Sequence, residues 1–170
     1  DEYNWVRKNC VDIVDPGEKA SFIFTYNGGD DPNSLGVYKD GNMVSGCNTT
    51  ETGDFIGINS SNYPLTFGAR ATNEEGSSFD HRLQGIIDNV VIWNFNVNDE
   101  QVLEYNNNNQ IYEDSLVGLW NFNAGEGDMF YDRSGNSNHG TIYGADWRCY
   151  DMDLCGICDG DNSTCEIITD

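Results

Sequence analysis

The stretch YDRSGNSNHG, residues 131–140, gathers the side chains best suited to hold a cation. Asp132, Asn136 and Asn138 place three oxygen-bearing groups on one short, glycine-containing turn whose carbonyls are also exposed. Calcium takes about six to eight oxygens, and such a loop supplies part of that set. The same letters also describe a turn closed by Asx hydrogen bonds with no ion, and both readings stand. The second constellation is the tail DLCGICDGDNSTC. Cys149, Cys155, Cys158 and Cys165 read first as a disulfide-stapled knot with too little core to fold unaided. A four-cysteine zinc site would want a second Cys-x-x-Cys pair. A calcium loop through Asp159, Asp161 and Ser163 meets Thr164 where an EF-hand needs glycine. Cys10 and Cys47 are expected to pair with each other; the tail or another chain is the alternative.

Catalysis finds few handles. Glycoside hydrolysis needs two carboxylates flanking one bond, and no acid-x-acid-x-acid strand occurs. Glu126 and Asp128 lie in a glycine-rich loop and read as solvated. His81 and His139 have no Ser or Cys in a nucleophile setting, and no phosphate-binding or dinucleotide fingerprint is found. The expectation is a non-catalytic chain.

Charge narrows the partners. Eight Lys and Arg stand against 29 Asp and Glu, a formal net charge of −21 over 170 residues. Phosphate backbones need clustered cations, so nucleic acid is excluded as a partner. The apolar runs are too short to cross a bilayer, so no membrane insertion is expected. Six cysteines, four crowded at one end, favour disulfides in an oxidising compartment. The Asn-x-Ser/Thr sequons at Asn48, Asn59 and Asn162 agree with an extracellular or cell-surface location. The chain opens DEYNW, which reads as a processed form or a fragment.

The elements that must position these groups are short strands. In ASFIFTYNGG, Phe22, Phe24 and Tyr26 share one face of a half-buried strand. LGVYKDGNMVSG is a hairpin about Asp40-Gly41. NYPLTFGAR reads as another short strand. Residues 86–95 read as a strand with Val91, Trp93 and Phe95 on one side. Asn98 can then cap a short helix, with Asp99 and Glu100 in its positive first turn and Val102 and Leu103 on its apolar side. NNNNQ is a solvated break. The tetrapeptide Trp-Asn-Phe-Asn begins at Trp93 and again at Trp120. It is read as two different places in one kind of fold, each pointing Trp and Phe inward, not as a duplicated unit. Trp5, Trp93 and Trp120 are core candidates.

Residues 116–122, the Gly-Glu-Gly at 125–127, residues 131–140 and the Gly-x-x-Trp at 144–147 together resemble the opening of a laminin-G-like domain of the concanavalin-A-like superfamily. Residues 22–105 resemble the closing half: the strand from Phe22, the hairpin from Val37, Gly-Ile-Ile-Asp before Asn89, and DEQVLEY. Asn89 stands where that family has an acid, and Glu126 comes one place late. The tail resembles the cysteine-rich region of ADAMTS-type metalloproteases and linkers of bacterial surface proteins. The resemblance implies an all-β, two-sheet antiparallel jelly-roll sandwich with a small disulfide-rich C-terminal tail. It also implies a structural Ca2+ at the 131–140 loop, approached by Asp88, and sugar stacking at Tyr63, Tyr143 or Trp147.

The closing half precedes the opening half. Residues 1–110 are read as the closing half, 111–148 as strands completing this or a neighbouring sandwich, and 149–170 as the cysteine-rich tail. Circular permutation, complementation of a neighbouring chain, and a cut from a tandem array all explain that order. Two functions follow. One is a module for adhesion or carbohydrate binding, with glycans or other surface proteins as partners. The other is a filament subunit that self-associates into a polymer through shared strands and disulfides.

Overall fold

A computed structural model describes residues 4–58, 61–123 and 126–148. Among them the regular structure is mainly strand, in short antiparallel pairings, with a single α-helix. Tail cysteines 149, 155, 158 and 165, and the sequons at Asn59 and Asn162, lie outside the described residues. Contacts divide the chain into two units, Asp1–Ser61 with Trp93–Ser115, and Asn62–Ile92 with Leu116–Asp170.

In the first unit, β1 (Trp5–Asn9) pairs with β5 (Asn48–Thr52), from Trp5↔Thr52 to Asn9↔Asn48. The next residues along this ribbon, Cys10 and Cys47, form a disulfide. A second sheet runs β2 (Phe22–Tyr26), β3 (Leu35–Lys39), β4 (Asn42–Met43). Asp40 and Gly41 form its two-residue turn, at φ 49° and 78°. Two left-handed positions match the twist of a tight hairpin, and Asp-Gly tolerates them. Register places Ile23 beside Tyr38, and both are buried against Val97 and Val102.

Helix α1 (Asp99–Asn108) covers that face. The Asn98 side chain accepts from the Gln101 N–H at 2.9 Å, and Gln101 Oε1 accepts from the Asn98 N–H at 3.0 Å. This reciprocal box satisfies donors that the first turn cannot. Asp99 and Glu100 add negative charge at the positive end of the helix. Val102 is fully buried, whereas Leu103 is 46% exposed, so the apolar stripe is narrower than the sequence reading expected. Trp93 packs edge-on against Tyr105 (5.2 Å), Tyr112 (6.1 Å) and Phe95 (6.4 Å).

The second unit holds β6 (Arg70–Ala71) with β7 (Phe79–Asp80), β8 (Val90–Trp93, all but its last residue) with β9 (Leu116–Trp120), and β10 (Met129–Phe130) with β11 (Gly140–Thr141). Two expected strands are shorter than read. The run from 86 becomes strand only at Val90, because Asn89 sits at φ 50°, a conformation that ends an extended run and that Asn tolerates. NYPLTFGAR is extended only at its last residue, Arg70, after Gly68 turns left-handed at φ 77°. Phe67, from that loop, becomes the centre of an aromatic cluster, 5.0 Å from Trp120, 5.9 Å from Phe130 and 6.3 Å from Phe122.

The two Trp-Asn-Phe copies therefore serve different units. Trp93 closes β8 and Trp120 closes β9, so each Trp is the last residue of its strand. Strict alternation stops there in the second copy: Phe122 stands at φ 50° and reaches Phe67 through a turn. Trp120 lies over Gly118, where any added methyl would fall inside the indole ring. Six apolar side chains are buried among the described residues. Cores this small lean on staples.

Candidate functional site

Asp132 is the most heavily bonded side chain of the second unit. Its Oδ1 accepts from the Leu119 N–H at 3.0 Å and the Ser134 N–H at 2.8 Å. Its Oδ2 accepts from the Ser134 hydroxyl at 2.8 Å and the Asn138 N–H at 2.9 Å. The residue is 6% exposed. Burial alone would raise its pKa, but the four donors outweigh it and hold the carboxyl at about 2. The carboxylate is thus the node that ties the 131–140 loop to β9.

The two asparagines complete the tie. Asn136 donates through Nδ2 to the carbonyls of Leu116 (2.7 Å) and Val117 (3.1 Å), and Asn138 donates to Val117 (2.8 Å). The Trp120 indole N–H donates to the Asn138 carbonyl at 2.9 Å. The Asp132 N–H donates to His139 Nδ1 at 3.1 Å, so His139 acts here as an acceptor. All three sequence-expected ligands meet in one loop, yet they meet β9 and not a common centre. A cation bound to Asp132 would have to displace donors from both carboxylate oxygens. Both asparagines turn their NH2 groups toward the carbonyls that such a cation would need. The donor set as arranged does not fit calcium. Asp88 is exposed, and no described hydrogen bond joins it to the loop. Among the described residues no three His, Cys, Asp or Glu side chains converge as a metal site.

The aromatic candidates lie apart from that node. Tyr143 is 67% exposed, and the Phe79 ring supports it from behind, with centroids 5.7 Å apart and planes inclined by 32°. Trp147 is half-buried and donates its indole N–H to the Gly127 carbonyl at 2.7 Å. Tyr63 is exposed. Sequence reading missed Phe79, whose only signal was its place in the short run Ser-Phe-Asp. It also missed the neighbouring ion cluster. Arg70 donates to Asp80 through Nε (2.9 Å) and Nη2 (2.6 Å), and His81 Nδ1 lies 2.9 Å from Asp80 Oδ1. Arg70 first, then His81, hold the Asp80 carboxyl far below the usual range. Asp80 and Arg70 pair across the ladder, while Phe79 pairs with Ala71 one position on. Alternation therefore sends the charges and the aromatic ring to opposite faces.

Asn48 is exposed at the start of β5, and every residue of that strand is exposed. No family model, characterised protein or solved structure matches the chain.

Proposed function

We propose that the chain is a non-catalytic extracellular module of laminin-G-like, concanavalin-A-like jelly-roll descent that binds glycans, free or carried by other surface proteins, through the Tyr143 platform. The observation that carries this reading is a ring that is two-thirds exposed and packed against the Phe79 ring. An exposed ring fixed by a neighbour stacks on the C–H face of a sugar without first losing its own rotamer freedom. The Cys10–Cys47 bridge agrees with an oxidising, extracellular setting. The two carboxylates with the strongest downward shifts, Asp80 and Asp132, are engaged by donors of their own unit. That engagement suits a structural role better than proton transfer. The loop around Asp132 is read as closed by its own hydrogen bonds, without calcium. A glycan array probed with wild type and with Tyr143→Ala tests the reading: selective binding that the substitution abolishes supports it, and binding unchanged by the substitution removes it.

A second reading has its own observation. The β2–β3–β4 sheet is apolar on both faces, with Ile23 and Tyr38 buried on one side and Phe24, stacked on Phe22 at 6.3 Å, 72% exposed on the other. A filament subunit would pack that second face against its neighbour while a strand edge pairs with the neighbour's strand. Sedimentation that reveals ordered polymers, lost in Phe24→Ser, would favour this reading over the glycan module.

A further inference from the structure

The chain is rich in asparagine but holds a single Asn-Gly step, Asn27-Gly28, where β2 leaves its sheet. Both residues are exposed. The Asn27 N–H donates to the Ser34 carbonyl at 3.1 Å, one rung beyond the Tyr26↔Leu35 pair, so the backbone is anchored as far as residue 27. There the anchoring stops. Among the described residues nothing accepts from the Gly28 N–H. Apart from its chain neighbours, no atom lies within 4 Å of the place a Gly28 side chain would take. The Asn27 carboxamide is folded forward along the chain, and its Oδ1 accepts from the Gly29 N–H at 3.0 Å, an Asx turn. The Gly29 carbonyl accepts the Tyr26 hydroxyl at 3.0 Å, which holds this turn to β2.

We infer that Asn27 is a site of spontaneous covalent modification, converted to aspartate and isoaspartate in the folded chain. The Gly28 nitrogen gives up its proton and bonds to Asn27 Cγ. The Cγ–Nδ2 bond breaks, and Nδ2 leaves as ammonia carrying that proton. The succinimide so formed takes up one water at either carbonyl. One opening restores the main chain with an aspartate; the other routes it through the former side chain as isoaspartate. Water is the only co-reactant. The attacking and attacked groups sit on adjacent residues, so the step is intramolecular. Negative charge develops on Oδ1 as the new bond forms, and the Gly29 N–H already donates to that oxygen, the arrangement of an oxyanion hole. Glycine at position 28 puts no side chain in the path. The described Asn-Ser steps lack these features. The Ser34 N–H after Asn33 is spent on the Asp31 carbonyl at 3.0 Å, and Ser34 is buried. The Asn136 Nδ2 is tied to the carbonyls of Leu116 and Val117. Either product at position 27 adds a carboxylate beside Asp30 and Asp31. Isoaspartate also lengthens the backbone by one carbon, directly after the rung that the Asn27 N–H makes with Ser34. This inference rests on neither the Tyr143 ring nor the Phe24 face.

The test is ageing of the full, oxidised chain at pH 8 beside the same chain reduced and unfolded in urea. Peptide mass spectrometry reads the exchange of the amide for a carboxyl group, and an isoaspartyl methyltransferase with labelled methyl donor reads isoaspartate. The expected result is conversion at Asn27 at least about tenfold faster than at Asn33 or Asn136, because a retained oxyanion donor lowers the barrier by more than that factor requires. Conversion of Asn27 should be no slower in the folded chain than in the unfolded one. In Asn27→Gln, where closure needs a larger ring, the methyl label should vanish from the peptide that holds residue 27. An Asn27 that stays intact in the folded chain while it reacts in the unfolded one overturns the inference, because the turn then shields the carboxamide. Conversion of Asn33 or Asn136 as fast as Asn27 overturns it too, as does label that persists in that peptide of Asn27→Gln.

Discussion

Replacing Asp132 by Asn keeps the shape of the node and removes its charge. Asn still offers one oxygen to the Leu119 and Ser134 amides, but its NH2 group now faces the Asn138 N–H, a donor, and the Ser134 hydroxyl, which can accept only by turning its proton away. Two charge-assisted bonds are lost and the other two weaken, which together cost about 3 kcal/mol. The pKa gives a comparable figure by another route. A fall from 3.8 to about 2 means that folding favours the ionised carboxylate, by about 2 kcal/mol. Because the folded-state value lies below the unfolded one, this contribution is complete above pH 4 or so and fades as the pH falls toward 2. The assay is hydrogen exchange at the Leu119 and Asn138 amides together with denaturant unfolding, at pH 7 and at pH 2.5. At neutral pH, Asp132→Asn should unfold more easily and exchange faster at both amides, and the gap from wild type should narrow in acid. Equal stability at pH 7, or a gap that does not change with pH, refutes the idea that the carboxylate ties the loop to β9.

Gly118→Ala forces a methyl into the Trp120 ring and should cost about 2 kcal/mol by overpacking, read from the denaturation midpoint, whereas Gly46→Ala meets no neighbour but sits at φ 77° and should cost about 1 kcal/mol through backbone strain alone. Replacing Cys10 and Cys47 together by Ser opens a loop of 37 residues, and should cost roughly 3–4 kcal/mol of first-unit stability in thermal unfolding. Because the Asp132 oxygens are already occupied, excess chelator should leave the thermal midpoint of the second unit unchanged; a clear drop, reversed by added calcium, would show that the loop holds an ion.

What the sequence disclosed depended on the range of the interaction involved. Asp40-Gly41 and the Asn98–Gln101 box are written within four residues, and both appear where the pattern placed them. The disulfide was readable because four of the six cysteines crowd the tail and leave Cys10 and Cys47 over. Strand ends were misread where one backbone angle outweighed a good apolar run, as at Asn89 and Gly68. The face of β2 that is buried depends on what α1 covers, so Ile23 is inside although Phe22 and Phe24 are the larger alternating residues. Asp132 stood out in the sequence as one of three candidate calcium ligands, and the structure makes it the hydrogen-bonding node of its loop. Its partner Leu119 lies 13 positions away, however, and no local pattern distinguishes a carboxylate waiting for an ion from one satisfied by a neighbouring strand.

Proposed extracellular recognition rests on a single exposed ring braced by another. Isothermal titration of the best array glycan against wild type and Tyr143→Ala, with folding confirmed by identical thermal midpoints, addresses it most directly. Saturable heat in the first and at least about fivefold weaker binding in the second is the predicted result. Equal affinity in both, with the fold intact, would contradict it.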